Sequence, residues 1–329
     1  MREEGRMREE DRQQGECGIR TADGMQANGG MWAEGSMKIA APRMEGGARA
    51  ALIACSNGLS KERQPRLEAL AELLREQGFS PVCSGCLYAR QGTAFSGTPK
   101  ERAGALMECF DAPGLSMIFD VSGGDTANGI LPYLDYERIR KSRALFFGYS
   151  DLTTVINAIY TKTGKSSVLY QARNLAEPGG ERQRKAFQRW LAGGDGGFFS
   201  FSCRFLQGRR MEGVVIGGNM RCLLKLAGTE YWPDMRGKLL LLEASGGGAP
   251  QMACYLAQLK QLGVFEQIGG ILLGTFLGME GQKEGLGIGE MVLEYAKHGC
   301  PVAMTDQIGH RSDSHGAVIG GRLSLTAGD

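Results

Sequence analysis

The stretch that most constrains the fold of this chain is residues 144–151, which read Ala-Leu-Phe-Phe-Gly-Tyr-Ser-Asp. Its apolar part has the length of a buried strand, and residues 152–163 then repeat apolar side chains at helical spacing. Gly164 is a suitable stop for that helix. The pattern predicts a short strand, a tight turn and a helix, with Ser150 at the junction.

Two interpretations of Ser150 are open at this point. A nucleophile needs such a junction, because the sharp turn lifts its hydroxyl off the sheet and the first N–H groups of the helix face developing negative charge. Alternatively, Ser150 is an N-cap that accepts a hydrogen bond from an unpaired N–H. Gly-x-Ser without a second glycine is a weak motif, so these residues alone do not distinguish a nucleophile from an N-cap.

Composition and charge narrow the class of protein. The chain has 329 residues, 42% of them hydrophobic, which is enough for a large core and two domains. Its net charge of +2, with acidic and basic residues interspersed, argues against a nucleic-acid partner. No apolar run is long enough to span a membrane, and no signal peptide is recognised at the start. We therefore predict a cytoplasmic protein that binds no membrane.

The cysteines predict reduced, mostly buried thiols. There are nine of them, scattered through predicted strands and helices, as is typical of a cytoplasmic protein. Cys83 and Cys86 have the spacing of a redox motif or half of a zinc site, but no second pair follows at ligand spacing. We predict a structural or incidental role for this pair, no bound metal and no cofactor.

Residues 1–47 differ from the rest of the chain. They contain Met-Arg-Glu-Glu twice and are dominated by glycine, glutamine and charge, without apolar periodicity. Such a segment buries too little apolar surface to offset the entropy of ordering it. The composition predicts either a disordered extension or an over-long gene model, in which Met25, Met31, Met37 or Met44 is the true start.

Alternating strands and helices begin at about residue 50. The lengths of these elements favour an α/β fold with a doubly wound parallel sheet, in which ligands bind at the carboxyl ends of the strands. Gly123 and Gly124 follow one such strand, and Ser150 follows the next. The predicted strands are 50–56, 81–83 and 116–121, and the predicted helices surround Leu67–Leu74 and run from the capping box at Thr98 to Phe110.

The glycine pair has two possible roles. Gly123 and Gly124 could form a bare turn, or their N–H groups could form an oxyanion hole beside a strand-end serine. A phosphate-binding loop is disfavoured, because the chain lacks both a Walker-type run ending in Lys-Ser/Thr and a full Gly-x-Gly-x-x-Gly.

The second half of the chain predicts another α/β unit. Residues 174–210 are polar, glycine-rich and basic, which suggests a connection between a domain at 48–173 and one at 211–329. Glu243 ends the predicted buried strand that begins at Lys238, and it is either a surface-facing strand end or a carboxylate that orients a base. His310 follows Gly309 shortly after a predicted strand.

These motifs together resemble the LD-carboxypeptidase family of serine peptidases, which includes the microcin C self-immunity peptidases. The resemblance covers about residues 48–329 in the same order. It is carried by Gly123-Gly124, residues 130–136 and 148–153, Gly217-Gly218-Asn219, Gly228-Thr229, residues 233–238 and 241–243, and Gly309-His310.

The resemblance implies a two-domain α/β fold with the active site in the cleft between the domains. It also implies a catalytic triad of Ser150, Glu243 and His310. Gly123 or Gly124, together with the N–H of Asp151, would then form the oxyanion hole. Family members commonly form homodimers.

The chain offers three histidines as candidates for the general base. His298 has the sequence context of a solvent-facing helix end. His315 is only five residues beyond His310, so spacing alone does not exclude it, and the Gly-His resemblance favours His310.

The implied substrate is a small peptide cleaved beside its C-terminal residue, such as the L,D bond of a murein tetrapeptide. The alternatives are a peptidase that detoxifies a peptidyl-nucleotide antibiotic and a catalytically silent peptide- or saccharide-binding protein.

The chain departs from the family pattern at three places near the expected substrate cleft. It has Gly246-Gly247-Gly248 in place of a second acid, residues 170–173 in place of a His-Gly-Pro turn, and residues 311–315 in place of an apolar stretch with proline. Arg173 and His315, which lie in two of these departures, and Asn219 of the Gly217-Gly218-Asn219 motif are candidate substrate contacts. These departures affect the prediction of the substrate more than the prediction of the class of reaction.

Overall fold

The computed structural model describes residues 31–42, 47–194, 197–280 and 286–328. These residues form an α/β structure with two sheets, as the sequence predicted. The strands are β1 Met31–Ser36, β2 Arg49–Ile53, β3 Ser80–Cys83, β4 Leu115–Asp120, β5 Leu145–Gly148, β6 Ser167–Leu169, β7 Ser200–Gln207, β8 Arg210–Asn219, β9 Leu239–Ala244, β10 Gly270–Phe276, β11 Val302–Met304, β12 Ala317–Ile319 and β13 Arg322–Thr326. The helices are α1 Gln64–Glu76, α2 Pro99–Asp111, α3 Tyr136–Lys141, α4 Thr153–Thr163, α5 Glu181–Leu191, α6 Met220–Leu224, α7 Ala249–Gln261 and α8 Ile288–Tyr295.

The first sheet has the strand order β12-β6-β5-β4-β2-β3. The pairings of β2 with β3 and β4, of β4 with β5 and of β5 with β6 are all parallel, which confirms the predicted parallel sheet. The order reverses between β2 and β4, and ligand crevices of such sheets open at the carboxyl ends of strands where the order reverses. The segments that follow β2, β4 and β5 meet at this edge.

The second sheet has the strand order β1-β7-β11-β10-β9-β8-β13. Its central strands, β8 to β11, run parallel, and β1, β7 and β13 flank them with antiparallel pairings. All six residues of β9 are buried, which explains its continuous apolar run. Near the end of the chain β12 pairs with β6, so the predicted second domain contributes an edge strand to the first sheet.

The prediction that residues 1–47 form a disordered extension is wrong for residues 31–42. Strand β1 pairs with β7 through all six of its residues, and both Ala33 and Met37 are buried. The sequence signal was weak because the inward positions of β1 are Ala33 and Gly35, which carry little apolar bulk. Residues 1–30 and 43–46 of the predicted extension lie outside the described residues.

The predicted connection at 174–210 contains regular structure. It holds α5, the whole of β7 and the first residue of β8. Trp190, on the predicted amphipathic helix, packs against Phe147 of the first sheet and against Phe199, with ring centroids 6.1 and 5.3 Å apart. Buried aromatic pairs of this kind contribute about 0.5–1.5 kcal/mol beyond their buried area. The connection is therefore part of the core.

Among the described residues, no helix has both the length and the apolar character that crossing a membrane requires.

Candidate active site

Ser150 lies in a strained turn between β5 and α4. Its φ of 54° makes it the one described non-glycine residue with positive φ. This conformation costs a non-glycine residue about 1–2 kcal/mol, and strain of this kind is concentrated at functional sites. The cap residues of the two helical segments here are Tyr149 and Leu152, and neither makes a side-chain cap bond, so Ser150 is not an N-cap.

Gly148 makes the turn possible. A Cβ at this position would lie 2.7 Å from the Cβ of Leu152, closer than real side chains approach. The glycine lets the start of α4 fold back directly onto the end of β5. The predicted strand, turn and helix are therefore confirmed, and α4 ends at Gly164 in the left-handed conformation.

The glycine pair lies beside Ser150. A Cβ built on Gly123 would be 4.0 Å from the Cβ of Ser150, and one built on Gly124 would be 2.3 Å from the side chain of Asn57. Gly124 also has a φ of 138°. Among the described residues, neither glycine N–H has a hydrogen-bond acceptor. The arrangement therefore offers two unpaired backbone donors next to the serine, as an oxyanion hole requires.

Asp120 holds the loop that leads into the glycine pair. Its buried carboxylate accepts hydrogen bonds from the N–H of Cys55 at 2.7 Å and from the N–H and hydroxyl of Ser122. Burial raises the pKa of this carboxyl, and the bonds from Ser122 and Cys55 oppose the rise. The ends of β2 and β4 are thereby tied together where the crevice opens.

Asp151 ties the nucleophile turn to three other segments. Its buried carboxylate accepts hydrogen bonds from the hydroxyl of Ser56 at 2.6 Å, the N–H of Ala127 at 2.7 Å and the ammonium of Lys225 at 2.5 Å. Lys225 also donates to the carbonyl of Asp125 at 2.9 Å. A buried carboxylate is stable when it is both paired and hydrogen-bonded in this way. The backbone of residue 151, a predicted oxyanion donor, is thus held in place.

Glu243 and His310 form the other part of the site. Glu243 is fully buried near the end of β9, and its Oε2 is hydrogen-bonded to Nδ1 of His310. Because a carboxylate accepts, the hydrogen is on Nδ1, and Nε2 is the bare acceptor. Nε2 is buried and has no partner among the described residues. The imidazole is therefore in the tautomer that a general base needs.

The loop that carries His310 packs directly against β10. A Cβ on Gly309, whose φ is 137°, would lie 2.0 Å from Oγ1 of Thr275, so glycine is required there. The same hydroxyl accepts a hydrogen bond from the N–H of His310 at 3.1 Å. The family motif Gly-His thus has a local cause, which is the close approach of this loop to the strand.

Tyr149 joins the two parts of the site and was not among the predicted site residues. Its ring lies against the imidazole of His310, with centroids 4.3 Å apart, and its hydroxyl donates to the carbonyl of Gly309 at 3.0 Å. Burial raises the pKa of this phenol, so it stays protonated and donates. The residue before the predicted nucleophile therefore contacts the predicted base. In the sequence, its position next to Ser150 was the one indication of a role in the site.

A cavity of about 340 Å³ opens at Ser150 between the two halves of the chain. Asn219 enters it from the end of β8, where its N–H donates to Oγ1 of Thr153 and its side-chain oxygen caps α6. Arg221, absent from the sequence prediction, also lines the cavity and pairs with Asp125. The remaining lining residues are Gly124, Asp125, Ala244, Ser245, Gly246, Gln251 and Tyr255.

His315 and Arg173 are not among the residues that line this cavity. His315 lines a separate cavity of about 200 Å³, where its Nδ1 bonds to the carbonyl of Ser200 and its Nε2 lies 2.9 Å from a guanidinium nitrogen of Arg182. Burial lowers the pKa of His315, which favours the neutral ring. Burial also lowers the pKa of Arg173.

Two other sequence predictions concern side chains away from Ser150. His298 is exposed, as its sequence context predicted, but it lies in the turn after α8 and not at the end of that helix. Cys83 is exposed and Cys86 is buried, and desolvation raises the pKa of both thiols. Within the described ranges, no group of three or more His, Cys, Asp and Glu side chains is arranged to hold a metal ion.

Curated relatives and solved structures resemble this chain over most of its length. It is 29% identical over 237 residues to the microcin C7 self-immunity protein MccF of Escherichia coli, covering 62% of this chain and 68% of that protein. It is 28% identical over 243 residues to the murein tetrapeptide carboxypeptidase of Pseudomonas aeruginosa, covering 69% and 76%. The crystal structure of an MccF-like protein from Bacillus anthracis is 27% identical with a TM-score of 0.76, covering 89% and 97%. A mutant MccF in complex with adenosine monophosphate is 25% identical with a TM-score of 0.74, covering 88% and 99%.

Sequence models of two domains match the two halves that supply the site. The LD-carboxypeptidase N-terminal domain matches residues 50–170, which contain Ser150 and the glycine pair. The LD-carboxypeptidase C-terminal domain matches residues 212–325, which contain Glu243 and His310. The two matches together cover more than half of the chain, so the chain belongs to the LD-carboxypeptidase family.

Proposed function

We propose that this protein is a serine carboxypeptidase that hydrolyses the amide bond before the C-terminal residue of a small peptide. Ser150 is the nucleophile, His310 the general base and Glu243 the acid that orients it. The observation that carries the proposal is the Glu243–His310 hydrogen bond, because it leaves Nε2 bare on an imidazole that packs against the residue before Ser150. A binding protein has no need of this arrangement.

The acylation step follows from these positions. As Oγ of Ser150 attacks the scissile carbonyl carbon, Nε2 of His310 takes the hydroxyl proton. The resulting oxyanion accepts hydrogen bonds from the N–H of Gly123 or Gly124 and from that of Asp151. When the tetrahedral intermediate collapses, the C–N bond breaks and His310 gives its proton to the leaving amine.

Deacylation repeats the same steps with water. Nε2 of His310 takes a proton from a water molecule, whose oxygen attacks the acyl carbon of the Ser150 ester. Collapse of the second tetrahedral intermediate breaks the bond to Oγ, and His310 returns the proton to the serine. The imidazolium that forms in each step is stabilised by the buried carboxylate of Glu243.

The substrate we favour is a peptide with a free C-terminal carboxylate, such as a murein tetrapeptide cleaved at its L,D bond. A relative in Pseudomonas aeruginosa is named a murein tetrapeptide carboxypeptidase. In this chain, Arg221 and Asn219 line the cavity at Ser150, and the guanidinium is a suitable donor to a carboxylate. Its present partner Asp125 is exposed, so an exchange of partners costs little.

The second candidate is a peptidase that removes a peptidyl-nucleotide antibiotic. The observation behind it is the similarity to MccF, a microcin C7 self-immunity protein, and to the mutant of it solved with adenosine monophosphate. The chemistry at Ser150 would be the same, and the group beyond the scissile bond would differ.

Mass spectrometry of the purified protein incubated with murein tetrapeptides and aminoacyl-nucleotide conjugates distinguishes these functions. Release of the terminal D-alanine is the expected result, with Ser150→Ala as the inactive control. Cleavage of the conjugates alone would support the second candidate. Binding without cleavage of either would support the silent binding protein.

The cytoplasmic location and the homodimer implied by the resemblance stay predictions.

A further inference from the structure

A cavity of about 200 Å³ lies against α5 and shares no lining residue with the cavity at Ser150. Its walls come from α5, from Gly197-Phe198 before β7 and from Ser314-His315. Pockets for drug-sized ligands have volumes of about 300–1,000 Å³. This cavity is smaller, so it suits an ion or a group of a few atoms.

Helix α5 makes the surroundings of this cavity basic. Its 11 residues contain one acidic side chain, Glu181, and four basic ones, Arg182, Arg184, Lys185 and Arg189. Glu181 pairs with Lys185 at 2.9 Å, and Arg182 and Arg189 line the cavity. Clefts lined by charges of one sign concentrate ions of the opposite sign. The cavity therefore favours an anion.

Arg182 contributes a guanidinium whose partner is neutral. Its Nη2 lies 2.9 Å from Nε2 of His315, and Nδ1 of the same ring bonds to the carbonyl of Ser200. A carbonyl only accepts, so Nδ1 carries the proton and Nε2 accepts from Arg182. Among the described residues, no carboxylate lies within ion-pair distance of this guanidinium, and its Nε and Nη1 donate no hydrogen bond.

Ser314 is a second and independent indication of a ligand. It is 3% exposed and lines the cavity, and its hydroxyl is buried with no hydrogen-bond partner in the part of the chain that the structure describes. Most buried polar groups are hydrogen-bonded, because an unpaired one is costly. The backbone of Ser314 is held by its N–H, which donates to the carbonyl of Arg311 at 3.2 Å. The hydroxyl can rotate toward a ligand without movement of the chain.

The nearby carboxylates do not occupy the cavity. Asp306 and Asp313 are exposed, and neither lines it. Burial is the largest influence on the pKa of His315 and lowers it, and Arg182 lowers it further, whereas the bond to Ser200 and the charges of Asp313 and Asp306 raise it. The net direction is downward, so the ring stays neutral. It orients Arg182 without neutralising the charge.

We propose that this cavity binds a small oxyanion of the phosphate class, held by the guanidinium of Arg182 and the hydroxyl of Ser314. A guanidinium donates two parallel hydrogen bonds to phosphate oxygens, and the hydroxyl donates a third from the other wall. A tetrahedral oxyanion has oxygens that accept from both walls. A carboxylate has two oxygens in one plane, which the guanidinium fork occupies.

The site and the proposed base lie on the same connection between β11 and β12. His310 and Ser314 are four residues apart there, and Gln183 of α5 donates to the carbonyl of Ser312 between them. A bound oxyanion adds a second link from α5 to this connection. We therefore expect phosphate to slow amide hydrogen exchange in residues 311–316. Protection confined to other segments would place the ion elsewhere and overturn the proposal.

The affinity is measured by isothermal titration calorimetry of the full-length wild-type protein with inorganic phosphate. We expect one site with a dissociation constant of about 0.1–1 mM, because a few charge-assisted hydrogen bonds form. Acetate should bind at least about 10-fold more weakly. Glycerol 3-phosphate tells the source of the group: tighter binding than inorganic phosphate indicates a phosphate monoester, and weaker binding indicates the free ion.

Two variants locate the site, and each has a matched control. Ser314→Ala removes a hydroxyl that has no partner in the described structure, so it should keep the fold and weaken phosphate binding about 10-fold. Ser312→Ala changes an exposed serine of the same connection outside the cavity and should have no effect. Arg182→Gln should weaken binding at least about 10-fold. Lys185→Gln removes one charge from the same helix outside the cavity and should leave binding nearly unchanged.

The results that would overturn the site are distinct from those that bear on the proposed function. They are the absence of phosphate binding, unchanged affinity in Ser314→Ala and Arg182→Gln, and acetate bound as tightly as phosphate. An equal loss in Lys185→Gln and Arg182→Gln would show attraction to a basic helix instead of a built site. Thermal melts confirm that each variant is folded. Because the titration involves no turnover, its outcome is independent of the peptidase.

Discussion

The two halves of the candidate active site hold their side chains by different means. On the nucleophile side, Ser150 is positioned by a strained backbone and by a buried carboxylate, Asp151, that bonds to three other segments. On the base side, His310 is oriented by its bond to Glu243 and by a glycine packed on β10. A serine hydroxyl needs a fixed backbone, whereas an imidazole needs the correct tautomer. The comparison predicts how each half responds to substitution.

The largest effect should come from removing either reacting group. We expect Ser150→Ala to lower the rate of D-alanine release from a murein tetrapeptide about 10⁴- to 10⁶-fold, because the hydroxyl is the bond-forming group. His310→Ala should be equally severe and the double variant hardly worse, since the triad acts as a unit. His298→Ala, in an exposed turn, is the matched control. Near-normal turnover by Ser150→Ala would rule out serine catalysis.

Glu243→Gln tests the base side without changing its shape. The amide can donate to Nδ1 of His310, which would place the proton on Nε2 and remove the general base. A wrong tautomer of this kind lowers kcat about 10⁴-fold in a serine protease triad. Glu72→Gln is the control, because its ion pair with Arg75 on α1 is exposed and such pairs contribute about 0–1 kcal/mol. Full kcat in Glu243→Gln would contradict the assigned role of this carboxylate.

Lys225→Met tests the nucleophile side at a distance from the serine. The substitution leaves Asp151 with two of its three hydrogen-bond donors and removes the half-buried positive charge that pairs with this buried carboxylate. We expect kcat to fall about 10-fold with KM nearly unchanged, because a displaced oxyanion donor weakens the transition state. Lys225→Arg should recover part of kcat. Lys162→Met removes an ion pair to the exposed Glu230 and should leave kcat unchanged.

If Lys225→Met folds and keeps its full kcat, the Asp151 contacts have a structural role only. They would then not position Ser150 for catalysis, contrary to the comparison of the two halves. A thermal melt of each variant separates loss of fold from loss of rate.

Tyr149 connects the two halves, and the smallest effect should come from its hydroxyl. Tyr149→Phe keeps the ring against His310 and removes the bond to the Gly309 carbonyl, which contributes about 0.5–1.5 kcal/mol. We expect kcat to fall about 2- to 10-fold in steady-state assays. Tyr149→Leu, which also removes the ring, should be worse, and the exposed Tyr133→Phe should be silent. If Phe and Leu at residue 149 had equal effects, the ring contact would be unimportant.

The predicted elements that held in the structure are those with strong local patterns. The strand before Ser150, helix α4 with its glycine stop, and the Thr98–Glu101 capping box all follow from periodicity and turn chemistry within a few residues. Strand β1 was missed because its inward positions are Ala33 and Gly35, and because it is an edge strand that pairs with β7, more than 160 residues away in sequence.

For the site, the family resemblance identified Ser150, Glu243 and His310, and the structure brings the last two into contact. It did not indicate Tyr149, Arg221 or Lys225, since nothing in their local sequence marks a partner across the molecule. The candidate substrate contact His315 bonds instead to Ser200 and lies near Arg182. Its spacing from His310 could not reveal which cavity it would line.

The sequence by itself determined the α/β alternation, the strand-turn-helix junction at Ser150 and the family, because these depend on local periodicity and on motif order along the chain. The tertiary structure decided the left-handed conformation of Ser150, the Lys225–Asp151 pair and the contact between the rings of Tyr149 and His310. These features depend on distances of a few ångströms between segments far apart in sequence. Such distances are set by packing and by the desolvation of charge, which no local pattern encodes.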